Sequence, residues 1–214
     1  MRMRFIINAA LIGAVSAVVL TGCSAAANKN YKNGMECFNE ADYDKAAGYF
    51  KQAVEADSNN TAYLVSLGMT QLELLKYDEA QASFDSAIEL DQDCADAYRG
   101  KGVVCYRNGE YADAMEAFDK AVSLSDKSGQ VRTDSLKYYA SCQYIQGDYQ
   151  GAVDTYDKLI ESASKSDKAE LYFLRGCAYI KLQDENDAVL DYEKSLDYES
   201  DNYETYCNMY TNLK

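Results

Sequence analysis

The chain has 214 residues, with 21 basic and 35 acidic side chains and no histidine, which gives a formal net charge of −14. This length suffices for one domain with a substantial core, while the negative charge would repel nucleic acid and anionic lipid surfaces, so neither is an expected partner. Without histidine, the Ser-His and Cys-His nucleophile pairs of hydrolases and the Cys/His sites for metals are excluded.

The first 22 residues have the layout of a secretory signal peptide. Two arginines precede an apolar run without acidic residues, which ends in Leu20-Thr21-Gly22-Cys23. These four residues resemble the lipobox of bacterial lipoproteins. The resemblance implies diacylglyceryl transfer to the Cys23 thiol, cleavage before Cys23 and acylation of the new terminus, so that residues 23–29 comprise the lipidated cysteine and a short tether. The alternative is an uncleaved transmembrane helix, because the apolar run approaches the ~20 residues that span a bilayer.

The rest of the chain repeats itself at intervals of 34 to 38 residues. One column of the repeat is alanine, at Ala46, Ala80, Ala114, Ala152 and Ala188. A large aromatic residue follows four positions later, at Phe50, Phe84, Phe118, Tyr156 and Tyr192. Another column holds glycine, at Gly34, Gly68, Gly102 and Gly176, with Ala140 in its place in the fourth unit. A fixed period in this range is typical of a solenoid, in which each unit is too small to bury its own apolar face.

Each unit is predicted to contain two helices. In the third unit, apolar residues recur mainly every three to five positions over 98–106 and again over 111–122, which indicates two helices with buried stripes. Between them lies Asn108-Gly109, and Gly147 has the same place one unit later. Because Asn and Gly tolerate the left-handed conformation that ends a helix, these positions predict tight helix-to-helix turns. The glycine column would let the second helix of each pair approach closely, and the aromatic column would fill the space between units.

These columns resemble the tetratricopeptide repeat family, whose motif has Gly in the first helix and Ala, a large aromatic residue and Ala in the second. The resemblance implies an all-α fold, a right-handed α-solenoid of about five helix-turn-helix units. The array would occupy residues 30–201 as one domain, with units at about 27–60, 61–94, 95–132, 133–168 and 169–202. Residues 202–214 are predicted to form a C-terminal capping helix, with an apolar stripe of Tyr206, Met209, Tyr210 and Leu213.

The chain departs from the family pattern at the end of the second helix, where the family has proline and this sequence has none. Side chains that could cap the following helix take its place, namely Ser58, Asp91, Asp93, Ser166 and Asp201. Apart from Cys23, the sequence has six cysteines, at Cys37, Cys94, Cys105, Cys142, Cys177 and Cys207. Since their columns are too far apart for disulfides, they are predicted to be small buried thiols.

The resemblance also implies a binding site, because in the family the first helices line a concave groove that holds an extended peptide or a partner helix. The residues that correspond to this groove are Tyr31, Met35, Val65, Met69, Arg99, Val103, Tyr106, Lys137, Tyr144 and Phe173. The groove would be apolar in its amino-terminal half, with Arg99 and Lys137 as isolated cations in the middle. Two alternatives remain open. Met35, Val65 and Met69 would instead form core between repeats, and the two cations would pair with Asp96 and Asp134.

No catalytic residue, metal site or cofactor is predicted. The sequence therefore favours a non-catalytic scaffold outside the cytoplasm, anchored by lipid to the cell membrane or outer membrane, that binds a protein or peptide partner. One alternative is a self-associating structural subunit of an envelope assembly. Another is an envelope substrate-binding protein or enzyme, for which an enclosed polar pocket with converging carboxylates would be the expected sign.

Overall fold

The computed structural model describes residues 25–126 and 129–198, and these residues form helices joined by short turns, without a strand. The predicted signal peptide, Cys23, Cys207 and the capping helix at 202–214 lie outside the described residues. The first helix, α1, is described over residues 25–39. The others are α2 (Tyr43–Ala56), α3 (Thr61–Glu73), α4 (Tyr77–Leu90), α5 (Ala95–Asn108), α6 (Tyr111–Leu124), α7 (Gln130–Ile145), α8 (Tyr149–Ser162), α9 (Lys165–Lys181) and α10 (Glu185–Tyr198).

The described helices form five consecutive pairs at the five predicted units, which confirms the all-α fold of helical pairs. The chain divides into two compact parts, Met1–Val104 and Cys105–Lys214, with the boundary inside α5. In the first part α3 packs on α2 and α4. In the second part the helices from α6 to α10 pack in sequence on one another. Helices that contact their neighbours along the chain in this way are characteristic of a repeat array.

Every helical pair turns through one residue in the left-handed conformation. Gly109 and Gly147, which the sequence predicted for this role, have φ angles of +82° and +87°. The equivalent turn residues of the other pairs are Ala41, Leu75 and Gln183, with φ angles of 58°, 59° and 62°. Because left-handed backbone costs a residue with a Cβ roughly 1–2 kcal/mol, three of the five turns are strained by their sequence.

The glycine column faces the aromatic column of the same helical pair, whereas the sequence predicted close helix approach at the glycines and aromatic packing between units. A Cβ on Gly34 would lie 2.7 Å from the Phe50 ring, one on Gly68 would lie 2.7 Å from the Phe84 ring, and one on Gly176 would lie 2.8 Å from the Tyr192 ring. The whole alanine column is fully buried at Ala46, Ala80, Ala114, Ala152 and Ala188. In these three pairs, therefore, glycine and alanine leave room for one large ring between the two helices.

Gly100 makes a similar contact between neighbouring pairs, which the glycine column did not predict. A Cβ at this position of α5 would lie 2.3 Å from the ring of Phe84 on α4. The Phe84 ring is thus enclosed by a glycine of its own pair and by a glycine of the next.

A buried polar contact joins the two helices of two pairs. The Ser83 hydroxyl donates to Gln71 Oε1 at 2.6 Å, and the Thr155 hydroxyl donates to Gln143 Oε1 at 2.9 Å. Both contacts span 12 residues and have the same place in the repeat. Because a buried polar group is costly without a partner, the two members of each contact depend on each other.

Side-chain caps begin several helices, although not always at the predicted residues. Asn60 rather than Ser58 accepts from the backbone N–H of Ala62 at the start of α3. Ser164 rather than Ser166 caps α9. Asp91, also a predicted cap, instead accepts from the backbone N–H of Asp93 within the loop before α5. The predictions missed by two residues at α3 and α9 because propensity identifies a capping residue type and not the residue that begins the helix.

The array begins closer to Cys23 than the sequence predicted. Residues 25–29, which were predicted to belong to a tether, are helical. Ala27 is fully buried against Ala53 and Tyr63, and the Tyr63 hydroxyl donates to Asn28 Oδ1 at 2.9 Å. These contacts with α2 and α3 hold the start of α1 in the helix. Across the described ranges, no helix combines the length and the apolar character needed to cross a membrane.

Candidate functional site on the first helices

The ten predicted groove residues all lie on the first helices of the pairs. Tyr31 and Met35 are on α1, and Val65 and Met69 are on α3. The third, fourth and fifth pairs contribute Arg99, Val103 and Tyr106 on α5, Lys137 and Tyr144 on α7, and Phe173 on α9. All ten are half-buried. Each therefore keeps part of its side chain on the surface of its unit.

In the first helical pair, the predicted groove residues Tyr31 and Met35 also pack into the core. The Tyr31 ring lies 5.7 Å from the Phe50 ring and 4.9 Å from the Tyr63 ring, measured between centroids. Met35 packs beside Tyr31 on the cluster that contains Phe50. Since Tyr31 joins α1 to α2 and α3, its removal would weaken the fold as well as any binding surface.

The apolar residues of the second and third pairs behave in the same way. Val65, Met69 and Val103 pack on the buried cluster around Phe84. This supports the alternative in which Val65 and Met69 form core between repeats. Met35 also packs as core, on the cluster around Phe50. Because the three residues remain half-buried, packing uses only part of each side chain.

Arg99 forms an ion pair within α5. Its Nη2 lies 2.9 Å from Asp96 Oδ1, and the Arg99 side chain is 20% exposed against 50% for Asp96. The pairing with Asp96 is the one that the sequence offered as an alternative. The guanidinium is therefore not an isolated cation, and the carboxylate is the more accessible partner.

Lys137 also has a carboxylate partner, but not the predicted one. Its Nζ lies 2.8 Å from Oε2 of Glu170 on α9, whereas Asp134 accepts from the Gln130 amide at 2.7 Å. Glu170 has the place in the fifth unit that Asp134 has in the fourth, so the long lysine side chain reaches across to the next pair. The Lys137 side chain is 22% exposed and that of Glu170 is 59% exposed. The prediction of Lys137 as an isolated cation is thus wrong.

Tyr106 and Tyr144 of the predicted groove each contact a tyrosine at the beginning of the second helix in their own pair. The Tyr106 ring lies 5.7 Å from the Tyr111 ring, and the Tyr144 ring lies 5.4 Å from the Tyr149 ring. The Tyr106 ring also lies 5.3 Å from the ring of Tyr138 on α7, in the next pair. Burial raises the pKa of the Tyr106 and Tyr144 hydroxyls above the ordinary value. Both remain neutral at physiological pH, as a partly apolar contact surface requires.

A cluster of charged and aromatic side chains around Arg175 on α9 was not predicted from the sequence. Arg175 on α9 donates to Asp191 on α10 through Nε at 2.7 Å and through Nη2 at 2.6 Å, and its Nη1 donates to Asp157 on α8. Its guanidinium also lies 5.3 Å from the ring centroid of Tyr172 and 5.8 Å from that of Tyr179. One largely buried cation therefore joins three helices.

The electrostatics of this cluster favour the ion pair. Burial alone would lower the pKa of Arg175, but its hydrogen bonds and charge interactions with Asp191 and Asp157 raise that pKa above the ordinary value. The repeat contains a pattern that could have indicated this cluster. Lys101, like Arg175, directly precedes a residue of the glycine column, and it pairs with Asp85 of the preceding helix at 2.8 Å. Asp85 and Asp157 both follow the alanine column by five residues.

The described part of the chain contains no group of three or more Cys, Asp or Glu side chains placed to hold a metal ion. Of the five cysteines in the described ranges, Cys105 and Cys142 are buried and the other three are half-buried. Burial raises the pKa of the Cys142 thiol to about 11, so this thiol is protonated at neutral pH and is not a nucleophile.

Comparisons with known proteins agree with the helical pairs. Family models described as tetratricopeptide repeat match residues 65–130, 133–159 and 169–202. No curated protein sequence matches significantly.

Solved structures of similar fold include a MamA protein, which is 24% identical over 84% of this chain and 94% of its own, with a TM-score of 0.68. Another is YrrB, described as a TPR protein with an unusual peptide-binding site, at 16% identity, 85% and 90% coverage and a TM-score of 0.67. A third is PilF of Pseudomonas aeruginosa, at 14% identity, 83% and 78% coverage and a TM-score of 0.73. At these identities the likeness shows the fold.

Proposed function

Because the chain carries tetratricopeptide repeats, we propose that it is a non-catalytic scaffold, anchored to a membrane by lipid, that binds a peptide or helix of a protein partner on its first helices. The observation that carries this proposal is the half-buried state of all ten predicted groove residues. Packing within each unit leaves apolar and aromatic side chains partly accessible on one helix of every pair. Such a surface suits the burial of an extended segment or an amphipathic helix.

The ion pairs indicate which side chains would make the contacts. Arg99 and Lys137 are each paired with a carboxylate that is more exposed than the cation. A bound segment would therefore meet Asp96 and Glu170 before the cations, and its affinity would come mainly from the aromatic and aliphatic residues beside them. The peptide-binding site named for YrrB belongs to that protein, and it supports the proposal only as an example of this fold binding peptides.

We place the anchor at Cys23, on the lipobox resemblance. Lipid at Cys23 would leave only residue 24 before the helical residues that begin at 25. A mature protein of this kind would stand outside the cytoplasm, at the cell membrane or the outer membrane, with its first pair directly at the bilayer. Two acyl chains or more would make this attachment effectively permanent.

The binding surface is tested by a charge reversal on a first helix, with the same change on a second helix as control. Lys137→Glu puts a second carboxylate beside Glu170, while Lys158→Glu changes an exposed lysine of α8. The full-length chain is cross-linked in its own membranes and the attached proteins are identified. We expect a discrete partner with the parent chain and with Lys158→Glu, reduced at least about fivefold, or ~1 kcal/mol, with Lys137→Glu. Equal recovery from all three would refute binding on the first helices.

The anchor is tested separately. Cys23→Ser should abolish acylation, seen by mass spectrometry, and leave the chain with an uncleaved amino-terminal segment. An unmodified Cys23 in the parent protein would contradict the lipid anchor without bearing on the binding surface.

A further inference from the structure

The turn between α3 and α4 carries a leucine where the backbone favours glycine. Leu75 has a φ of 59°, and its side chain is 71% exposed, the most of any large apolar side chain in the described ranges. A single exposed leucine is common on protein surfaces and needs no explanation. A leucine that is also in the left-handed conformation is an outlier, because its Cβ makes that conformation costly.

The fold does not require leucine at this position. The Leu75 N–H donates to Leu72 O at 2.9 Å, and the Lys76 N–H donates to Gln71 O at 2.8 Å. The other four described turns have the same two hydrogen bonds, at 2.9–3.1 Å. Their left-handed residues are small or polar, namely Ala41, Gly109, Gly147 and Gln183. Because glycine would relieve the backbone and remove apolar surface from water, the leucine side chain costs stability here and indicates a function.

The surface around Leu75 is acidic. Residues 73–79 hold three exposed carboxylates and one lysine, and residues 40–45 of the preceding turn also hold three carboxylates and one lysine. The two turns lie on the same edge of the first two pairs, because Leu74 and Phe38 pack on one cluster, around Phe50. The carboxylates therefore outnumber the lysines by three to one beside the exposed leucine.

We propose that residues 40–45 and 73–79, here called the Leu75 edge, form a second binding surface with Leu75 as its apolar anchor. The partner is a different protein that offers an apolar pocket rimmed by lysine and arginine. The pocket buries the leucine side chain, and the basic rim complements the carboxylates. A second copy of this chain does not fit the Leu75 edge against itself, because two acidic edges repel each other. The Leu75 edge is separate from the surface on the first helices and does not depend on the proposed function.

The partner is sought by photo-cross-linking of the full-length chain in living cells. A photoreactive phenylalanine analogue replaces Lys76, which is exposed beside Leu75. The expected product is a different protein, cross-linked at a segment in which apolar residues are flanked by lysine or arginine. The absence of a product, a product of two copies of this chain, or a cross-linked segment without basic residues would overturn the proposal.

Titration calorimetry with the purified partner then separates the leucine side chain from its backbone. Leu75→Gly should weaken binding at least about tenfold, while the midpoint of thermal unfolding rises by about 1–4 °C. Gln183→Gly is the matched control, because Gln183 is exposed, has a φ of 62° and lies outside the Leu75 edge. It should relieve the same strain and leave the affinity unchanged. The affinity of the parent chain should fall as salt rises.

The two binding surfaces are told apart by Lys137→Glu, the substitution that tests the first helices. It should leave the affinity for this partner unchanged. A chain with Leu75→Gly that binds as tightly as the parent would overturn the proposal. Affinity lost with Lys137→Glu but kept with Leu75→Gly would place the same partner on the first helices and would equally overturn it.

Discussion

Replacing Arg175 by methionine should unfold the last helical pair far more readily than an ordinary charge removal would. Arg175 is 14% exposed and its bidentate partner Asp191 is 3% exposed, so Arg175→Met leaves a carboxylate buried without its cation. Removing one member of a buried pair in this way typically costs about 3–5 kcal/mol. The lost contacts with the rings of Tyr172 and Tyr179 add roughly 0.5–1 kcal/mol each.

A matched pair in the same array provides the control. Lys101 and Asp85 have the places in the repeat that Arg175 and its other partner Asp157 have, but their side chains are 38% and 44% exposed. Lys101→Met should therefore cost only about 0–1 kcal/mol. The double variant Arg175→Met/Asp191→Leu should recover most of the loss, because apolar residues can replace a buried ion pair at little cost.

The measurement is urea unfolding of each variant followed by circular dichroism, with the free energies compared at equal slope. A loss below about 1 kcal/mol for Arg175→Met would show that the ion pair contributes little to stability, since Asp191 would then find water or another donor. A double variant less stable than Arg175→Met alone would contradict the predicted recovery.

Five further substitutions test individual features of the fold, each by the change in the free energy of unfolding. Gly100→Ala should destabilise by roughly 1–3 kcal/mol, because its Cβ would lie 2.3 Å from an aromatic ring, whereas Gly48→Ala, which meets nothing within 4 Å, should stabilise by about 0.5–1 kcal/mol. Leu75→Gly should stabilise by about 0.5–1 kcal/mol, because Leu75 has a φ of 59° and is 71% exposed. Ser135→Ala should stabilise by about 1–2 kcal/mol, because the buried Ser135 hydroxyl makes no hydrogen bond in the described structure. Burial raises the pKa of Cys142 to about 11, above its unfolded value of ~8.5, so the folded state keeps the proton to a higher pH than the unfolded state does. The free energy of unfolding should therefore fall as pH rises from about 9 to 11. Cys142→Ala should remove this contribution to the fall.

The fold could be predicted because the repeat gives the same evidence several times. Gly109 and Gly147 marked two turns, and the alanine column fixed the register of five units. A single glycine or alanine would have carried little information. The turns at Ala41, Leu75 and Gln183 lack a turn residue, and only the period located them. There the tertiary packing of the pair overrides the local preference of the residue.

The candidate site was predictable as a set of positions but not as a set of interactions. All ten predicted residues lie half-buried on first helices, because their columns fix which side of a helix they occupy. The partner of Lys137 could not be read from spacing along one helix, since Glu170 reaches it from the next pair. Arg175 escaped notice for the same reason, because its two carboxylates come from α8 and α10.

Charged residues are distributed unequally between the first and the second helices, which the net charge of the chain does not reveal. The first helices carry eleven basic and six acidic residues, and the second helices carry five basic and seventeen acidic residues. Lys101 on α5 pairs with Asp85 on α4, and Arg175 on α9 pairs with carboxylates on α8 and α10. Part of the segregation therefore serves attraction between neighbouring helices, and the excess of acidic residues remains on the second helices.

Photo-cross-linking in living cells tests binding on the first helices most directly. A photoreactive phenylalanine analogue is placed at Ala62, exposed on the first helix α3, or at Ala82, exposed on the second helix α4 of the same pair. If the partner binds on the first helices, a discrete cross-linked protein is expected from position 62 and none from position 82. The same product from both positions, or a product from position 82 alone, would contradict it.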